Sequence, residues 1–197
     1  MWQSLDLSKM AEIETFTSST EIASIRILVL SAVDYGCDRR RPASETPAEE
    51  WQRVITTNCT GQCVLVSRLL PTLTAGSPGI VVNISSEVAL FPGPGRAAYA
   101  SSKAALHAML RAVAQENESA LRVYQLVPTF QCVTPGIRRR RPLDYDFSSY
   151  GDPNIIATAV SQLVPLSGAT MDAGTYLIRS SGEVQYHPES TQFSADR

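Results

Sequence analysis

No stretch of this 197-residue sequence approaches the ~18 consecutive apolar residues of a membrane-spanning helix. The N-terminus also lacks a basic stretch leading into an apolar run, so no signal peptide is expected and the chain reads as cytoplasmic. Cysteine is sparse. Cys37, Cys59, Cys63 and Cys132 fall in neither a metal-ligand nor a secretory disulfide spacing, which excludes a zinc site as a sequence-level expectation. Cys59 and Cys63 share a helix face at i and i+4 and read most simply as small packing residues. Neither sign of charge is in excess: 17 basic against 19 acidic residues give a formal net charge of -2, and nothing in that balance suggests a nucleic-acid partner. Internal repeats and low-complexity segments are missing too. Asn58-Cys-Thr, Asn83-Ile-Ser and Asn117-Glu-Ser fit the glycosylation pattern by composition alone, and a cytosolic chain is not modified there. With 44% hydrophobic residues, what remains is an ordinary globular chain long enough for one domain and a sizeable core.

What is present alternates. Ile25 to Leu30, Gly79 to Ile84 and Leu121 to Val127 are short apolar, β-branched runs that predict buried strands, and Thr175-Tyr-Leu-Ile-Arg179 predicts a last one. Between them, Thr46-Pro47-Ala48-Glu49 reads as a capping box opening a helix over 47–70, with Trp51, Val54, Ile55, Leu65 and Leu69 in helical period and Pro71 as its stop. Phe91-Pro-Gly-Pro-Gly95 is turn chemistry. Arg96 to Asn117 holds neither Gly nor Pro and is rich in Ala, Leu, Met and Gln, so its propensity favours a helix. Asp152-Pro153 opens another helix to about Val164, and Gln185 to Arg197 reads as a loose polar tail. Strands alternating with helices predict an α/β domain, a parallel sheet with helices on both faces, over 1–182, followed by a polar tail over 183–197.

The chemistry concentrates in Asn83-Ile-Ser85-Ser86 and, thirteen positions after its last serine, Tyr99-Ala-Ser-Ser-Lys103. Tyr99 and Lys103 stand at i and i+4 on one helical face. A phenol has an unperturbed pKa near ~10, and an ammonium beside it favours ionisation, so Tyr99 is expected to trade a proton near neutrality. Ser86, at the strand exit, is placed to hold a substrate oxygen. A Tyr-x-x-x-Lys pair alone is more often a surface packing contact than a catalytic one. Here a preceding helix adds Trp51-Gln-Arg-Val-Ile-Thr-Thr-Asn58.

That order, a helix with Asn, a strand ending in Asn-Ile-Ser-Ser, a turn, then Tyr-x-x-x-Lys, resembles the short-chain dehydrogenase/reductase family from about Leu5 to about Gly182. The resemblance implies a three-layer Rossmann-like sheet and an NAD(P)-dependent oxidoreductase interconverting a carbonyl and an alcohol. In it Tyr99 is general acid/base, Lys103 lowers the tyrosine pKa and binds the nicotinamide ribose, Ser86 orients the carbonyl, and Asn58 supports a water relay. Ser85 competes for the serine role, and the thirteen-residue interval favours Ser86. The implied cofactor contacts are Asp6 at the adenine ring, Ser31, Ala32, Tyr99, Lys103, Pro128 and Thr129, with NADP slightly preferred over NAD.

Departures from the family pattern carry expectations of their own. The Gly-rich turn that receives the cofactor pyrophosphate at a helix N-terminus is not found, as if the first two strand-helix units were lacking. Met1 to Leu7 then corresponds to the end of the family's third strand, and Ile25 to Leu30 becomes an apolar edge. Leu30-Ser31-Ala32-Val33 stands where the family has Asn-Asn-Ala-Gly, so Val33 takes the place of a glycine, with Asp34-Tyr35-Gly36 available to shift the turn. Val127-Pro128-Thr129 replaces a Pro-Gly, and Thr134-Pro135-Gly136 follows. Two basic runs, Arg39 to Arg41 and Arg138 to Arg141, are read either as solvated loops or as contacts for an anionic substrate or cofactor phosphate. The partners implied are a small-molecule carbonyl or alcohol and further copies of the chain, as a homodimer or homotetramer through helices 47–70 and 96–117. An alternative function is a redox-inactive chain of this family, acting as an interaction module or as a non-redox lyase or isomerase.

Overall fold

The computed structural model describes residues 3–19, 22–37, 39–76, 78–163 and 172–188. The apolar runs form strands β1 (Ile27–Leu30), β2 (Gly79–Ile84), β3 (Leu121–Pro128) and β4 (Gly174–Ile178), and a fifth strand, β5 (Val184–His187), follows. They make one sheet in the order β1-β2-β3-β4-β5, with the first four parallel and β5 antiparallel to β4. Helices α1 (Met10–Thr17), α2 (Ala48–Ile55), α3 (Gly61–Thr74), α4 (Ala97–Glu116), α5 (Pro135–Arg138) and α6 (Asn154–Leu163) fill the connections.

Successive strand residues point to opposite faces, and this divides the core in two. Val81 and Val123 join Leu65, Leu69, Leu106 and Leu110 from α3 and α4 on one face. Val82, Tyr124, Leu126 and Tyr176 meet Ala159 and Leu163 of α6 on the other. The near-continuous apolar reading of β2 and β3 is therefore what a doubly covered parallel sheet requires. β1 forms one edge of the sheet, pairing with β2 alone among the described residues, and its Val29 is 47% exposed.

Four sequence expectations are corrected. Pro71 does not stop its helix: α3 runs on to Thr74 with Pro71 inside it. A mid-helix proline costs about 3 kcal/mol, but Pro71 sits exposed in the last turn. Leu69 and Leu73, both fully buried, hold that turn to the core, and burying such a side chain contributes about 1.5–3 kcal/mol. The capping box is not made: Pro47 is the N-cap of α2, without a side-chain cap bond, and the Thr46 hydroxyl turns back to donate to Pro42 O at 3.2 Å. The N-terminal segment is no strand over 3–9; it leads through a turn into α1, while Met1 and Trp2 lie outside the described residues. The tail is structured at its start, because the Arg179–Gly182 turn, with Gly182 at φ +87°, reverses the chain and pairs Val184–His187 with β4. Val164 and 189–197 lie outside the described residues.

Candidate active site

All four parallel strands point their carboxyl ends the same way, and in open α/β sheets that end is where ligands gather. A cavity of about 970 Å³ lies there, walled by Ser31 after β1, Ile84, Ser85 and Ser86 at the end of β2, and Pro128 at the end of β3. A buried polar chain fixes α4 against these ends. Asn83 Nδ2 donates to Gln125 Oε1 at 3.1 Å, and Gln125 Nε2 donates to His107 O in α4 at 3.1 Å. Tyr99 thus emerges in the first turn of α4 and Lys103 one turn on, both lining the cavity. They are 6% and 2% exposed.

Burial governs the electrostatics. The Tyr99 phenol is pushed up to about 12 chiefly by desolvation; a hydrogen bond with the Ser86 side chain and the charge of Arg96 pull the other way, while Tyr35 and Glu87 add to the rise. Lys103 is brought down to about 8 by the same desolvation. This departs from the expectation that Lys103 would carry Tyr99 toward neutrality. The ammonium instead donates to Ile84 O at 3.0 Å, and a cation held in a low-dielectric wall is itself disfavoured. That bond uses one of its three donors. The other two have no protein acceptor among the described residues and suit hydroxyl groups entering the cavity.

Asn58 lies in a π-helical turn, Thr56–Thr60, between α2 and α3, and is fully buried. Such turns recur at functional sites. Its carboxamide is spent on the scaffold: Oδ1 accepts from Asp34 N at 2.6 Å, and Nδ2 donates to Asp34 O at 2.6 Å and to Ser102 Oγ at 3.1 Å. Asn58 does not line the cavity; it ties the loop after β1 to α4. Beyond Asp34 the loop turns at Gly36, φ +76°, where a Cβ would stand 2.6 Å from Glu50 Oε1. Gly36, rather than a glycine at position 33, supplies the bend, and Val33 packs with Tyr35, Trp51 and Val54.

Of the sequence-predicted residues, Ser31, Ser85, Ser86, Tyr99, Lys103 and Pro128 are brought together around the cavity. Ala32 stands behind it, its carbonyl accepting from Gln62 Nε2 at 3.1 Å. Thr129 borders a neighbouring hollow and donates to Ile178 O at 3.1 Å. Asp6 is elsewhere: its carboxylate accepts from the Ser8 amide at 2.9 Å and hydroxyl at 2.7 Å and pairs with Lys9. Sequence reasoning missed Tyr35, whose ring centroid is 5.4 Å from that of Tyr99. Only its place before a turn glycine hinted at a fixed position. The residues around Tyr99 and Lys103 fit the nicotinamide half of a dinucleotide, while no turn of the Gly-x-x-x-Gly-x-Gly pattern among the described residues lines the cavity to receive the pyrophosphate.

Known proteins resemble this chain in sequence and in fold. A short-chain-type dehydrogenase/reductase from Picea abies is 38% identical over 93 residues, 47% of this chain and 32% of that protein. The 2,5-dichloro-2,5-cyclohexadiene-1,4-diol dehydrogenase LinX of Sphingobium indicum is 29% identical over 120 residues, 57% of this chain and 48% of its own length. The chain thus spans about half, or less, of these curated relatives. Among solved structures, an alcohol dehydrogenase from the archaeon Thermococcus sibiricus, complexed with 5-hydroxy-NADP, superposes with a TM-score of 0.77 at 23% identity, covering 96% of this chain and 77% of that one. A metagenomic short-chain oxidoreductase in complex with NADP gives 0.71 at 24% identity, covering 90% and 73%. Both share the fold. The short chain dehydrogenase family profile matches residues 1–141, from the N-terminal segment through Asn58, Ser86, Tyr99 and Lys103, and the chain belongs to that family.

Proposed function

We propose that this cavity serves an NAD(P)-dependent oxidoreductase that interconverts a carbonyl and an alcohol, working in the direction of carbonyl reduction. The observation that carries the reading is the convergence of Ser86, Tyr99 and Lys103 on one wall at the carboxyl end of β2. Bound nicotinamide supplies the hydride. Ser86 holds the substrate oxygen beside the Tyr99 phenol, and Tyr99 gives its proton to that oxygen as the carbonyl carbon is reduced. A phenol pushed up to about 12 is protonated at neutral pH, and ionising it there costs about 1.4 kcal/mol per unit. The resting phenol is therefore in the form that can donate, as carbonyl reduction requires, while the equilibrium itself is set by substrate and cofactor. Lys103 keeps two donors for the ribose hydroxyls, and Asn58 positions the loop after β1 rather than touching substrate. Solved neighbours of this fold hold NADP in some cases and NADH in another, which supports a nicotinamide dinucleotide as the cofactor, with NADP kept as the slightly preferred form.

The same reading extends to assembly and location. A homodimer or homotetramer paired through helices 47–70 and 96–117 follows from family membership, and light scattering reads the mass directly. Four unpaired thiols suit the reducing cytoplasm, and no helix among the described residues is long and apolar enough to cross a membrane. The function is tested by fluorescence titration of NADH and NADPH into the purified chain, with Lys103→Ala as control. Saturable binding weakened in the variant supports the reading, and no binding to a folded sample refutes it for this chain.

A further inference from the structure

Residues of both basic runs line the cavity mouth, and Arg140 of the second reaches Cys37, 103 residues back and just before the first. Arg140 is the tie. Its guanidinium donates to Gly36 O at 2.9 Å and Cys37 O at 2.8 Å and stacks on Tyr35, with Cζ 5.4 Å from the ring centroid. On the other arm, Arg41 N donates to Gly95 O at 3.2 Å, and Gly95, φ +80°, has no room for a Cβ against Arg40. Three loops are thereby fixed around one opening. Arg39 to Arg41, Arg96 and Arg139 to Arg141 line it against the carboxylates of Glu50 and Glu87. Glu50 is engaged by the Cys37 amide at 3.0 Å and faces Arg41 at 3.9 Å. Arg141 is engaged too, stacked on Tyr145 and bonded to Tyr150. Arg39, Arg40, Arg96 and Arg139 have no carboxylate within ion-pair distance among the described residues. Arg40 and Arg96 also border the adjoining hollow, so their charge stands between the cavity and that recess.

Arginines without an ion-pair partner among the described residues, carried on loops tied together around one cavity, form a receptor for a planar or tetrahedral oxyanion. Tyr99 and Ser86 address a carbonyl on the wall of the same cavity. Resting on the reading of that site as a carbonyl reductase, we infer that its substrate is an anionic carbonyl compound, whose carboxylate or phosphate is held by Arg40, Arg96 and Arg139 at the mouth while its carbonyl meets Tyr99. This takes the second of the two roles open for the basic runs, and gives it to substrate rather than to nucleotide.

Binding, measured by ligand-observed NMR at low salt, tests this without any turnover. The probes are 4-oxopentanoate against its methyl ester, and dihydroxyacetone phosphate against dihydroxyacetone, which separate the carboxylate source from the phosphate source. In at least one pair the anion should bind about tenfold tighter than its neutral partner, a difference of about 1.4 kcal/mol. That preference should shrink as salt screens it, and should largely vanish in Arg40→Gln/Arg139→Gln, whose side chains are exposed and whose replacement leaves the core intact. Tyr99→Phe should keep the preference, so a failure of the catalytic assignment leaves this test standing. Equal binding within both pairs overturns the inference. So does a preference that survives in the double arginine variant, or a variant that weakens NADPH binding while leaving the ketone anions unchanged.

Discussion

Lys103→Met is the perturbation on which the account stakes most. The ammonium is 2% exposed and its pKa is brought from 10.5 to about 8 by desolvation, which corresponds to about 3 kcal/mol of destabilisation of the folded state while the group is charged. Methionine matches the length of the stem and carries no charge. Against the gain stands the lost bond to Ile84 O at 3.0 Å, worth about 1–3 kcal/mol with its carbonyl left unpaired. At pH 7 the variant should therefore be as stable as the parent or more so, by up to about 2 kcal/mol. The sign with pH is fixed. The folded pKa is depressed below the unfolded one, so between about pH 8 and 10.5 the unfolded parent binds more protons and the parent gains stability as pH rises. The variant does not, and its advantage should shrink by about 2 kcal/mol between pH 7 and pH 9.5. Urea unfolding followed by circular dichroism at the two pH values reads both. A variant clearly less stable at pH 7, with a difference that does not move with pH, would refute the claim that Lys103 is held against its own desolvation.

Other perturbations follow from the scaffold. Asn58→Leu strands the Asp34 amide and carbonyl and removes the bond that Ser102 Oγ accepts, though Ser102 still donates to Tyr99 O, and urea unfolding should show a loss of about 3 kcal/mol; a loss below about 1 kcal/mol would mean the clamp is not formed. Gly36→Ala introduces a Cβ at φ +76°, 2.6 Å from Glu50 Oε1, and should cost about 1–2 kcal/mol, visible as a lower melting temperature. In the thiol pair, Sγ to Sγ 3.8 Å, the bond from Cys63 pulls Cys59 down and pushes Cys63 up, while Cys132 is raised by burial. Iodoacetamide at neutral pH, read by peptide mass mapping, should label Cys59 ahead of Cys132, and Cys63→Ala should remove that lead.

The sheet and the grouping of Ser86, Tyr99 and Lys103 on one wall were legible because their signals are local. Gly79 to Ile84 is an uninterrupted β-branched run, 97–116 is free of Gly and Pro, and Tyr99 to Lys103 is one helical turn, so each element announced itself within a short window. What stayed hidden depends on residues far apart in the chain. The resemblance gives Asn58 a place in a water relay, and only in space are Asp34 and Ser102 seen to engage its carboxamide. Tyr35 gains meaning from the ring of Tyr99, and Arg140 from two carbonyls on a loop more than a hundred residues away. Pro71 misled because propensity is a weak term beside two buried leucines. Tyr99 misled for a similar reason: a neighbouring ammonium is visible in the sequence, and the burial that outweighs it is not.

The central claim is that Tyr99 passes the proton in a nicotinamide-dependent carbonyl reduction. It is met most directly by following nicotinamide absorbance with NADH and NADPH over a panel of ketones and aldehydes that includes anionic members, for the chain and for Tyr99→Phe side by side. The account predicts turnover by the parent and none by the variant, with nucleotide affinity in the variant unchanged. Equal turnover in Tyr99→Phe would contradict it.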